Sequence, residues 1–119
     1  MRSRVGISAG LAIFCGLFAS YAMADAPASF AACAACHSSD GKSGLGPTLK
    51  GAYGRKAGTG SGFSYSPAMK RSGLTWDDKS LDSFLTDPQK AVPGNSMPFP
   101  GVPDAKDRTA IIEYLKSIK

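Results

Sequence analysis

Apolar positions along this chain follow three different rhythms, and each predicts a different kind of segment. From Val5 to Phe18 they form one apolar run. Between Gly41 and Gly62 they are scattered among eight glycines, with Leu45, Leu49, Tyr53 and then Phe63 and Tyr65 as isolated apolar groups. Beyond Ser66 they return at helical spacing: Leu81, Phe84 and Leu85 form one stripe, and Ile111, Tyr114, Leu115 and Ile118 a second. No stretch alternates apolar and polar residues for long enough to predict a sheet. The fold class read from the pattern is all-α, with short helices and long glycine-rich loops.

Local start and stop signals sharpen the helices. Ser66-Pro67 predicts an N-cap and first-turn proline, opening a short helix through Ala68-Met69-Lys70. Met69 falls there in a polar, solvent-facing pattern. Thr75 is expected to cap a helix beginning at Trp76-Asp77-Asp78, and Pro88 to end it. Asp104 is expected to cap the last helix. The glycine-rich stretch is too long for an ordinary loop of a small domain. Disorder is one alternative, but the interleaved apolar groups predict an ordered wrap around a flat cofactor.

The first apolar run follows Arg2 and Arg4 and ends before Ala22-Met23-Ala24, the pattern of a secretory signal peptide. Residues 1–24 are therefore read as a cleaved signal and 25–119 as one domain delivered to the periplasm; an uncleaved anchor is the alternative. Cys15 leaves with the signal, so Cys33 and Cys36 are the only thiols of the mature domain. A domain of this size has a marginal core and gains from a staple.

Cys33-Ala34-Ala35-Cys36-His37 is the spacing of a c-type haem attachment site. Cysteines three apart on a helical turn share a face, so both thiols reach the vinyl groups of one porphyrin. The histidine that follows is placed to take one axial position on the iron. A thioredoxin-like redox pair competes, but its strand–helix setting is missing. So does a zinc site, but no further Cys or His remains to complete four ligands. The cofactor expected is one haem c, attached through Cys33 and Cys36.

Pro93-Gly94-Asn95-Ser96-Met97-Pro98-Phe99-Pro100 forms a stiff loop with little conformational freedom to lose on folding. A thioether binds iron modestly, and a stiff loop can hold it in place; His/Met ligation raises the reduction potential. An ordinary core methionine is the alternative, and Met69 is the rival ligand. Spacing favours Met97.

These motifs together resemble a single-haem class I cytochrome c, near the mitochondrial and soluble photosynthetic-bacterial branch. The resemblance runs from about Phe30 to Lys116. It is carried by Cys33-Ala-Ala-Cys36-His37, Gly46-Pro47-Thr48-Leu49, Gly54-Arg55-Lys56, Gly62-Phe63-Ser64-Tyr65, Leu74-Thr75-Trp76, Pro93-Gly94-Asn95-Ser96-Met97 and Tyr114-Leu115-Lys116. It implies that the Pro47 carbonyl accepts the ring N–H of His37, and that His37 and Met97 are the metal ligands. It also implies that Arg55, Tyr65 and Trp76 bind the haem propionates, and that Phe99 lies over the haem edge. Three departures stand out. Phe84 replaces a tyrosine whose hydroxyl reaches the methionine sulfur in relatives, Asn95 replaces a threonine near a propionate, and Met69 replaces an asparagine in an internal water network. The first helix is also clipped, which puts its docking on the last helix in question.

Charge bears on partners. The whole chain carries a formal +5, and without Arg2 and Arg4 the balance is 12 basic to 9 acidic residues, +3. Where mitochondrial relatives ring the haem edge with lysines, this chain has Ala32, Gln89, Ser96, Pro103 and Asp104, while Lys90 is kept. An apolar docking face with weak salt dependence follows. No basic cluster interleaved with stacking aromatics points to nucleic acid. With both axial sites filled, the expected function is one-electron transfer between periplasmic or membrane-bound redox enzymes by a monomer without a transmembrane segment, and not catalysis. Two alternatives stay open from sequence: a dedicated electron-accepting subunit of one dehydrogenase, and a peroxide- or gas-reactive haem protein should Met97 not ligate.

Overall fold

In a computed structural model, which describes Gly16 and residues 24–119, Ala28–Phe30 form a 3-10 turn that runs into the first of five helices. These are α1 (Ala31–Ala34), α2 (Pro67–Arg71), α3 (Asp78–Thr86), α4 (Pro88–Ala91) and α5 (Ala105–Ser117). Among the described residues the only β pairing is an isolated antiparallel bridge between Lys56 and Thr75. The all-α expectation holds. The expected signal segment and its cleavage point lie almost wholly outside the described residues.

Capping chemistry sets the helix ends. The Ser66 hydroxyl accepts from Met69 N–H at 3.1 Å with Pro67 in the first turn, as the sequence predicts. Asp104 accepts from Lys106 and Asp107 N–H at 2.7 and 3.4 Å. α3 begins later than expected. Its cap is Asp77, which accepts from Ser80 N–H at 2.8 Å while Ser80 Oγ accepts from Asp77 N–H at 2.9 Å. Thr75 and Trp76 are unavailable to the helix because their backbone pairs with the preceding loop: Trp76 N–H donates to Arg55 O at 3.0 Å, and Gly54 N–H to Trp76 O at 2.7 Å. Pro88 ends α3 but also opens α4, capped by Asp87, which accepts from Lys90 N–H at 3.1 Å.

Two apolar clusters share Trp76. The first joins Phe30, Leu81, Leu85, Val102, Ile111, Ile112, Tyr114, Leu115 and Ile118, with Cys33, Leu49, Tyr53 and Phe99 against its edge. Full burial of an aliphatic side chain such as Ile111 or Leu115 contributes about 1.5–3 kcal/mol. The 3-10 turn ahead of the clipped first helix docks on α5: the rings of Phe30 and Tyr114 meet edge-on at 4.7 Å. The second cluster joins Ala57, Met69, Phe84 and Val92, with Tyr65, Leu74 and Met97 packed on it. Met69 is thus buried, against its solvent-facing pattern, because α2 packs inward through Met69 with Ala68 beside it. The glycine-rich stretch is ordered around buried Ala52 and Ala57. Gly58 shows why glycine is needed: φ is +75°, and a Cβ would stand 2.8 Å from Lys70 Cα. Leu45 does not join this packing; it is 84% exposed.

Candidate functional site

The Cys-His motif straddles the end of α1. Cys33 O accepts from Cys36 N–H at 3.1 Å and His37 N–H at 2.9 Å, so one turn presents both cysteines and the histidine. Both thiols are free; Cys33 is half-buried and Cys36 exposed. Burial raises the Cys33 thiol above its ordinary range, because desolvation disfavours the thiolate. Among the described residues no three His, Cys, Asp or Glu side chains converge, so the zinc alternative lacks its donor set.

His37 is fixed from two sides. Its Nδ1 lies 2.7 Å from Pro47 O. A carbonyl only accepts, so Nδ1 carries the proton and the Nε2 lone pair is left for a metal. Gly46 passes so close to the ring that a Cβ there would stand 2.7 Å from Cε1. The Gly46 amide in turn donates to Cys36 O at 2.9 Å, tying the loop back to the motif.

Met97 is half-buried against the second cluster. Phe84 packs in that cluster and meets Trp76 edge-on at 5.0 Å. Arg55 and Trp76 are brought together by the Lys56–Thr75 bridge. Arg55 and Tyr65 converge at Gly60, where a Cβ would clash with the Tyr65 hydroxyl and stand 2.8 Å from Arg55 Nη2. Arg55 Nε is buried without a hydrogen-bond partner. A buried donor left unpaired is costly unless a ligand satisfies it. Phe99 is half-buried on the first cluster, and its N–H donates to Met97 O at 2.9 Å. The structure therefore gathers His37 with Pro47, Arg55 with Tyr65 and Trp76, and Met97 with Phe99.

Residues 23–119 match the family model described as Cytochrome c. The chain belongs to the cytochrome c family. It is 55% identical over 97 residues to cytochrome c2 iso-2 of Magnetospirillum molischianum, covering 81% of this chain and 100% of that protein. It is 51% identical over 86 residues to cytochrome c of Tetrahymena pyriformis, covering 72% of this chain and 78% of that one. Among solved structures, cytochrome cH from Methylobacterium extorquens aligns with a TM-score of 0.71 at 54% identity, over 74% of this chain and 90% of that chain. This cytochrome is an electron-transfer protein with one covalent haem c, and Cys33 and Cys36 occupy the attachment positions.

The residues present fit that group. Two free thiols and a pre-oriented imidazole share one turn. Arg55 Nε is an orphaned donor of the charge a haem propionate requires. Two side chains stand differently from the sequence expectation, which put Leu45 in the apolar wrap and Asn95 near a propionate. Leu45 next to the motif-bound Gly46 is an exposed large apolar group. Asn95 is the one residue among the buried polar and charged ones described, at 6% exposed; a Pro-Gly turn followed by Asn is a signal for a side chain that bonds nearby backbone.

Proposed function

We propose that this cytochrome is a periplasmic single-electron carrier, not an enzyme, in which His37 and Met97 would be the residues that hold the iron. When bound, the haem supplies one iron centre that cycles between ferric and ferrous. The chain's own residues do the rest. Pro47 holds the His37 ring and makes its free nitrogen a better donor, as a carbonyl partner does for a metal-bound imidazole. The observation that carries the reading is this fixed ring on the same turn as two free thiols.

Met97 supplies the soft sulfur that favours the ferrous state. Arg55 would neutralise the propionates and Tyr65 and Trp76 would donate hydrogen bonds to them, since a carboxylate is costly to bury otherwise. Phe99, packed on the first cluster beside the methionine loop, would shield the haem from water. Residues 1–24 direct export and are cleaved after Ala24, leaving a monomer; no helix among the described residues is long and apolar enough to cross a membrane. Redox partners dock transiently at the rim, where Leu45, Ala32 and Ser96 are exposed and Lys90 keeps a charge typical of lysine-ringed relatives.

The test is a potentiometric titration of the matured holoprotein together with carbon monoxide added to its ferrous form. A single one-electron wave with no change of spectrum under carbon monoxide is expected. Ready carbon monoxide binding, or turnover of peroxide, would replace the carrier reading with that of a reactive haem protein.

A further inference from the structure

The loop that carries Met97 is not held by its prolines alone. Asn95 lies two residues before the methionine, is 6% exposed, and uses every polar position of its side chain. Its amide Nδ2 donates to Pro88 O and Val92 O, each at 2.9 Å. Its Oδ1 accepts the backbone N–H of Met97, also at 2.9 Å. Two carbonyls on one side and an N–H on the other permit only this orientation of the amide.

Pro88 and Val92 bracket α4, and both are among the most buried residues of the chain. Each carbonyl already accepts one backbone N–H, from Val92 on Pro88 O at 2.9 Å and from Asn95 on Val92 O at 3.1 Å, and takes the Asn95 amide as its second donor. Asn95 therefore ties the Met97 backbone to an anchored helix end. Gln89 closes the other side: its Nε2 donates to Asn95 O at 2.8 Å, and its Oε1 accepts from Gly94 N–H at 3.2 Å.

We propose that Asn95 is a positioning residue, a clamp that fixes the Met97 backbone so that the thioether stays at the iron and exogenous ligands stay out. The proposal rests on the His37/Met97 reading above. A thioether is a weak ligand, so the residence of the sulfur depends on how far the loop opens. Each lost hydrogen bond makes opening easier by roughly a factor of ten at most. Gln89 assists from the solvent side and contributes less, because it is exposed.

The test uses ferric holoprotein and two readouts: the sulfur-to-iron charge-transfer band in the near infrared, and the rate at which added imidazole binds the iron. Four variants are compared with the wild type. Asn95→Leu keeps the volume and removes all three bonds, and Gln89→Ala removes the outer brace. Ile111→Val loosens the distant first cluster, and Met97→Ala removes the sulfur.

Asn95→Leu is expected to weaken the band and raise the imidazole rate about tenfold, Gln89→Ala to raise it about threefold, and Ile111→Val to leave both readouts unchanged. If Asn95→Leu fails to mature, the Gln89→Ala rate decides. An imidazole rate in Asn95→Leu, or failing that in Gln89→Ala, no higher than in Ile111→Val would overturn the clamp. Survival of the band in Met97→Ala would instead overturn the ligation on which the clamp depends.

Discussion

Gly46→Ala puts the placement of His37 to a direct test. The added Cβ would stand 2.7 Å from His37 Cε1, 2.8 Å from Nδ1 and 3.2 Å from Nε2. Carbon atoms settle at about 3.5–4.0 Å, so the ring or the loop must retreat by roughly 1 Å. Neither is free to do so: the ring is held by Pro47 O at 2.7 Å, and the Gly46 amide by Cys36 O at 2.9 Å. Overpacking of this kind costs about 1–3 kcal/mol. In a domain of this size, 1 kcal/mol lowers Tm by about 4–8 °C, which makes a fall of about 10 °C the central expectation. A lengthened Nδ1–carbonyl bond also makes the imidazole a poorer donor to ferric iron, so the reduction potential rises. Gly44→Ala is the matched control. It lies two residues away with no atom within 4 Å of its Cβ, and its stability is expected to stay level or gain up to about 1 kcal/mol. Thermal melts and potentiometry of the three holoproteins decide the matter. Gly46→Ala melting within about 2 °C of wild type, at an unchanged potential, would refute the placement.

Three further outcomes follow from other parts of the molecule. Leu45→Lys adds a charge at the exposed rim, and the electron self-exchange rate between ferric and ferrous copies, read by NMR line broadening, is expected to fall roughly tenfold; no change would remove Leu45 from the docking face. Arg55→Gln removes a positive charge beside the propionate site and is expected to lower the potential by roughly tens of millivolts, whereas a rise would contradict its assignment. Hydrogen bonds from the Ser80 backbone and side chain hold the Asp77 carboxyl below the usual carboxylate range. A depressed folded pKa gives stability that is present above the unfolded pKa and is lost as pH falls through the folded one. Asp77→Asn still caps α3 but does not titrate there, so its Tm should fall less than that of wild type between about pH 5 and pH 2; parallel melting curves across that range would show that the cap carries no such linkage.

How much was legible from the sequence depended on how local the physics was. Ser66-Pro67 and Asp104 are capping signals contained within four residues, and both helices start where those signals place them. The spacing of Ile111, Tyr114 and Leu115 likewise gives most of the buried face of α5, to which Ile112 adds, with Ile118 buried just past its end. Thr75 misled because a backbone bridge to Lys56, invisible in local pattern, keeps it out of the helix. α4 is not among the expected helices although Asp87-Pro88 repeats the logic of Ser66-Pro67, because a proline after a helix reads first as its terminator. Met69 was misjudged for the opposite reason. Its neighbours Lys70 and Arg71 are exposed, yet Met69 with Ala68 beside it is enough to turn a five-residue helix inward. In the site, His37 Nδ1 and Pro47 O lie 2.7 Å apart although ten residues separate them, a contact that local pattern does not carry. The Asn95 contacts are local, to Met97 two residues on, Val92 three residues back and Pro88 seven residues back; what the pattern lacks is α4, whose turn brings Pro88 O and Val92 O to one amide.

The most direct test of the account is the near-infrared absorption spectrum of the ferric holoprotein, recorded for wild type, Met97→Ala and Met69→Ala. Axial ligation by His37 and Met97 predicts a weak sulfur-to-iron band that is lost in Met97→Ala and kept in Met69→Ala, whose sulfur lies in the apolar cluster. A wild-type spectrum without the band and of high-spin form would contradict the central claim and make this cytochrome an open-iron protein.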